Sequence, residues 1–110
     1  MEKRGFCRFS HNIYWGDSVK KHTLMKWRLY RGKGPFDLYV ITRAQFDRDQ
    51  LDIVNCAFLR QPYFKLNPPL IYGIAGSYDE ALDLVVRISD EAASEGMQGE
   101  LLRFLMSKPE

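Results

Sequence analysis

Hydrophobic residues change their period several times along the chain, and each change marks a predicted element. Phe36–Thr42 carries Leu38, Tyr39, Val40 and Ile41 between a Gly-Pro turn and the mostly polar run Gln45–Gln50, which predicts a strand. Leu51–Val54 reads as a second strand, and Cys56–Arg60 as a short helical turn that must end near Pro62. Pro68-Pro69 excludes regular ladder pairing at those positions, and Leu70–Ala75 is apolar on both faces, as a central strand is. Beyond it, Ser77 and Glu80 have the spacing of an S-x-x-E capping box. Ala81, Leu84, Val85, Ile88 and Ala92 then share one face at helical spacing up to Gly96, predicting a helix that packs on the sheet. A short last helix over Gln98–Met106 presents Leu101, Leu102 and Leu105. No strand follows it, so no crossover unit is completed on that side.

The first third of the chain is less plain. Phe6–Trp15 is rich in aromatics and predicts a short strand ending at the turn Gly16-Asp17-Ser18. Ser18–Arg31 supports two readings. Asp17 can cap a helix whose face carries Val19, His22, Leu29 and Tyr30, whose last turn is basic and which stops at Gly32. Alternatively Met25, Trp27 and Leu29 alternate with Lys26 and Arg28 as in a half-buried strand, with Arg31–Pro35 as a hairpin loop. Cap, stop and charge bias agree on the helix. The expected fold is α+β: one domain over residues 1–110, with a small three- or four-stranded mixed or antiparallel sheet packed against C-terminal helices, chiefly 78–93.

Composition narrows the class without naming a function. At 110 residues, 45% hydrophobic and 14% aromatic, the chain has material for one core. Its net charge of +2 is far from that of a dedicated nucleic-acid binder. The charge is unevenly spread: residues 1–44 hold ten Lys or Arg against three acids, and residues 45–110 hold six against eleven. Such a split makes either a basic face or two halves that meet each other, and the second is the plainer expectation. Cys7 and Cys56 lack any C-x-x-C spacing, and a reduced, buried Cys56 is expected. The charged N-terminus has no signal-peptide pattern and no run approaches a membrane span, so a cytoplasmic location without membrane attachment is the expectation.

A set of residues carries a resemblance. Tyr39-Val40-Ile41, Gln50-Leu51-Asp52-Ile53, Leu59-x-Gln61-x-Tyr63, Gly73-Ile74-Ala75 and Tyr78-x-Glu80-Ala81 with Val85 resemble a group of small bacterial proteins that has no assigned activity. The likeness runs from about Asn12 to Leu105. It implies a bacterial cytoplasmic setting and a single domain, and it transfers no functional residue.

Several patterns bear on chemistry. Gly73-Ile74-Ala75-Gly76-Ser77 joins a strand to a helix N-terminus, where backbone amides can hold an anion. Asp79 and Glu80, however, already answer the helix dipole there, so a plain capped turn is expected. Cys7, His11, His22 and Cys56 are too scattered for a metal cluster, and a cysteine nucleophile would need a base that the sequence does not place. Asp47, Asp49 and Asp52 fall in a polar stretch and read as solvated. No cofactor or metal is expected, and an enzyme would need a cleft gathering Asp52, His22 or Cys56. Arg60, Gln61, Tyr63 and Phe64 have the composition of an interface hot spot, so the leading expectation is a non-enzymatic accessory module binding a protein partner or itself, there or at a sheet edge. The alternative is a nucleic-acid-binding module using Lys20, Lys21, Lys26, Arg28, Arg31 and Lys33. These are interleaved with Trp15, Trp27, Tyr30 and Phe36; the plainer reading there keeps Trp27 in the core and the lysines on a solvated face.

Overall fold

A computed structural model describes residues 7–31, 37–43, 51–60 and 69–107. The described elements run in the order β1 (Arg8–Trp15), α1 (His22–Tyr30), β2 (Tyr39–Arg43), β3 (Leu51–Asn55), a 3-10 turn (Cys56–Arg60), β4 (Leu70–Ala75), α2 (Tyr78–Ser94) and α3 (Leu101–Ser107). The fold is α+β. The described strands form one mixed sheet in the order β1-β4-β2-β3, with β1 parallel to β4 and β2 antiparallel to both β4 and β3. β4 is thus central, as its unbroken apolar run requires, since a strand covered on both faces has no side left for polar residues.

Adjacent residues of a strand point to opposite faces, and the burial pattern uses both. Val40 and Ile41 are neighbours on β2 yet belong to different cores. One core joins Tyr14, Ile41, Tyr72 and Ala75 of the sheet to Ala81, Leu84, Ile88 and Ala92 of α2 and to Phe104 and Leu105 of α3. The other joins Val40, Ile71 and Ile74 to Leu29 of α1, with Cys7, Val19, Leu38 and Cys56 around them. The sheet therefore has a helical layer on each face, and α1 covers the side that the C-terminal helices leave open. Along β4 the period of two breaks at Gly73. The pairing with β2 shifts there, and a Cβ on Gly73 would stand 2.9 Å from Ile41 Cδ1, so the missing side chain lets the strands stay in contact through the irregularity.

α2 is built as its pattern predicts. Ser77 accepts the Glu80 N–H at 3.1 Å as N-cap. At the other end Gly96 takes a φ of 75°, while Met97 N–H reaches Ala92 O at 2.8 Å and Gly96 N–H reaches Ala93 O at 3.1 Å, closing the helix with a Schellman turn. α1 departs from its prediction at its start and in its buried face. It begins at His22, with Lys21 in the left-handed region as N-cap and no side-chain cap, so Asp17 does not cap it. Its C-cap is Arg31, and the expected stop at Gly32 lies outside the described residues. Its buried face is Leu29 with half-buried Met25, whereas His22 and Tyr30 face solvent and Val19 is buried ahead of the helix.

Candidate interaction surface

The late start of α1 has its cause at the C-terminal ends of the parallel strands β1 and β4. Gly16 N–H extends the ladder to Ile74 O at 2.8 Å, which brings the turn after β1 beside the turn into α2. Glu80 bridges the two turns. Its carboxylate accepts from Gly76 N–H at 2.7 Å, from Ser18 Oγ at 2.7 Å and from Ser18 N–H at 3.1 Å. A capping box would send this side chain back to the N-cap N–H; here it takes the amide one residue earlier and a second turn far away in sequence. Gly16 and Gly76 make the room, because a Cβ on the first would collide with the Glu80 carboxylate and on the second with Ser18 Oγ. The Gly76 amide, followed by the Ser18 hydroxyl and amide, holds the Glu80 carboxyl below its ordinary value of 4.5. The amides at the head of α2 are thus answered by a carboxylate of the chain itself. With residues 16–18 tied down and Val19 buried, the chain turns into a helix only at His22.

α1 is then pinned by its first turn. His22 Nε2 donates to Val19 O at 3.1 Å, and its ring stacks on Trp15 at 3.7 Å between centroids and 2° between planes. Leu29 and Met25 face the sheet, which leaves Leu24, Trp27, Arg28 and Arg31, spaced i, i+3, i+4 and i+7, on the outer side. Trp27 is 57% exposed, and the Arg31 guanidinium lies over its ring at 5.3 Å. Trp27 is therefore not a core residue. Lys26 is placed over the Phe9 ring at 5.3 Å, while Lys20 and Lys21 line an open depression of about 620 Å³ with His22, Thr23 and Leu24. Lys20, Lys21, Arg28 and Arg31 are all exposed on this layer; Lys33 lies outside the described residues.

The acids of α2 lie across the sheet from α1. The described ion pairs, Arg87 to Glu91 at 3.7 Å and Arg103 to Glu100 at 3.0 Å, are internal to α2 and to the start of α3, and none among the described residues joins α1 to α2. Lys20 lies near enough to Glu80 to help lower its carboxyl. Among the described residues the cations of α1 and the acids of α2 thus stand on opposite layers of the sheet.

Comparison of the chain with protein-family models, with curated proteins and with solved structures finds no match. The site is accordingly read from its own residues. α2 buries Ala81, Leu84, Ile88 and Ala92 on its inner side and carries a second apolar line on its outer side: Tyr78, Leu82 and Val86 at i, i+4 and i+8, exposed by 50%, 41% and 58%. Tyr39 meets Tyr78 edge to face at 5.9 Å and fixes that end of the line. Asp79, Asp83 and Asp90 run beside it, and Arg87, the single cation of α2, is turned toward Glu91 and the Tyr14 ring. This line was readable in the sequence as a second i, i+4, i+8 repeat on a helix whose buried face is already complete.

The remaining candidates are placed as follows. Arg60 ends the 3-10 turn, and its side chain lies outside the described residues together with Gln61, Tyr63, Phe64, Asp47 and Asp49. Phe58, in the same turn, is exposed. Cys56 is buried and reduced, as is Cys7, whose thiol burial pushes up to about 12. Asp52 is half-buried on β3 while His22 sits over Trp15 of β1, so β4 and β2 separate them. Tyr14 donates to Glu91 at 2.6 Å, and burial followed by this bond raises its phenol above the ordinary range. Among the described residues no group of three His, Cys, Asp or Glu gathers for a metal, and no helix is long and apolar enough to cross a membrane.

Proposed function

We propose that the protein is a non-enzymatic interaction module of the bacterial cytoplasm that binds a protein surface through the outer face of α1. The observation that carries this reading is Trp27, an exposed indole under the Arg31 guanidinium, with Leu24 and Arg28 completing an i, i+3, i+4, i+7 set. Tryptophan and arginine are the side chains that dominate binding energy at protein interfaces, and this spacing is how a helix presents anchors to a partner. The surrounding Lys20, Lys21 and Arg28 select for a partner with acidic residues around an apolar strip. The setting rests on the resemblance carried by residues such as Tyr39-Val40-Ile41 and Gly73-Ile74-Ala75.

Nucleic acid is the second reading, favoured by the same exposed cations beside a ring able to stack on a base. A photo-reactive phenylalanine analogue at position 27, irradiated in cells making the protein, separates the two. Adducts that resist nuclease and are removed by protease support the interaction module. Nuclease-sensitive adducts move the function to nucleic acid, and absence of adducts at position 27 overturns both uses of this face.

A further inference from the structure

Resting on that reading, we infer that the partner is a second copy of this chain, whose Tyr78–Leu82–Val86 line receives α1 of its neighbour. The two surfaces complement each other in kind. One offers Leu24 and Trp27 among Lys20, Lys21, Arg28 and Arg31; the other offers exposed Tyr78, Leu82 and Val86 beside Asp79, Asp83 and Asp90. Arg87, which would oppose the match, is drawn aside by Glu91 and Tyr14. Within one molecule the surfaces cannot meet, because the sheet stands between them: α1 packs on Val40, Ile71 and Ile74, and α2 on Ile41, Tyr72 and Ala75 of the opposite face.

This placement fixes the symmetry. A two-fold dimer repeats one patch on both partners, whereas here different patches on opposite layers must pair, so the contact is heterologous and builds open chains, or rings where the rotation closes. Assembly therefore grows with concentration instead of stopping at two. The charged rims make it sensitive to salt, since exposed pairs are screened beyond about 10 Å at 0.1 M ionic strength.

The test uses the full chain with either surface disabled. Trp27→Glu blocks α1 and Val86→Lys blocks α2; both residues are more than half exposed, so the fold tolerates the change. Asp83→Lys serves as a second α2 variant that keeps the apolar line intact. Masses are measured by light scattering after size exclusion over about a hundredfold range of concentration, at low and high salt, with nuclease present. The wild type is expected to increase in mass with concentration and to require at least tenfold higher concentration for the same mass at high salt. Each variant alone is expected to stay monomeric, and an equimolar mixture of Trp27→Glu with Val86→Lys to stop at a one-to-one dimer, because only one intact surface of each kind remains. A wild type that is monomeric throughout, a mixture that stays monomeric, or variants that assemble like the wild type overturns self-pairing. If the wild type is monomeric but the chain carrying the photo-reactive analogue at position 27 still forms nuclease-resistant adducts with another protein, the interaction module survives without self-pairing; if those adducts are also missing, both fall.

Discussion

α1 and α2 cover opposite faces of one sheet, yet they are held there by different means. α2 has a side-chain N-cap, a Schellman stop and an inner stripe of Ala81, Leu84, Ile88 and Ala92 that is wholly buried. α1 has nine residues, no side-chain cap, a left-handed residue at its start and a single buried side chain, Leu29. A nine-residue helix of this kind is marginal by itself and depends on tertiary contacts. Those contacts are the Trp15–His22 stack, buried Val19 and the Glu80 bridge. The difference teaches where each helix has spent its hydrophobic residues: α2 has enough to fill the core and a surplus outside, whereas α1 holds on with few and turns its largest ring, Trp27, to solvent.

The sharpest way to break this contrast is inside α2. Ile88 is fully buried and Val86 is 58% exposed two residues away. Ile88→Ala is expected to cost about 2–5 kcal/mol through lost burial and the cavity left behind. Val86→Ala is expected to stay within about 0.5 kcal/mol, as surface changes do. Urea denaturation of both variants checks the pair, and equal losses would mean that the outer line of α2 is part of the fold and not a free surface.

The next effect tests the bridge that positions α1. In Glu80→Gln the carboxamide oxygen can still accept from Gly76 N–H and Ser18 Oγ, but its NH₂ then faces the Ser18 N–H where a carboxylate oxygen accepted. A loss of about 1–2 kcal/mol at pH 7 is expected. The pH dependence has a definite sign. Because Glu80 has a folded value below its ordinary 4.5, its contribution is complete above that ordinary value and disappears as pH falls through the lowered one. Wild type and Glu80→Gln should differ by a constant amount between pH 6 and 8 and converge as pH falls below 4.5 and through the lowered value. A gap that persists undiminished in acid would place the effect elsewhere.

The same contrast explains what was legible in the sequence. The strands, the 3-10 turn and α2 follow from local periods, caps and prolines, and β4 announces its central place by being apolar throughout. The start of α1 does not follow from local signals. Asp17 is a good capping residue in a suitable position, but Ser18 next to it is claimed by Glu80, 62 residues further on, and no window around Asp17 contains that information. Trp27 leaves the core for a related reason. Pattern assigns apolar residues to a core without knowing its capacity, and Leu29, Met25 and Val19 already cover the sheet under α1. The charge split can be counted in the sequence, but only the structure shows that the described cations of α1 and acids of α2 lie on opposite faces of the sheet.

The smallest stability effect falls on the residue with the largest expected consequence for binding. Trp27→Ala removes a ring that is mostly in water and touches Arg31 rather than the core. Loss of an exposed cation–π contact is worth about 0.5–1 kcal/mol, partly offset by alanine's better helix propensity, so a net change of no more than about 0.5 kcal/mol is expected by urea denaturation. Binding through α1 should fall by contrast at least tenfold, measured as the loss of concentration-dependent mass in light scattering. The separation of the two numbers is the point of the measurement. If Trp27→Ala unfolds the chain as readily as Ile88→Ala, the indole belongs to the structural layer and α1 is held much as α2 is. If stability is unchanged and association is lost, the outer face of α1 is spent on recognition, and the sparse packing beneath it is what frees its largest side chain for that use.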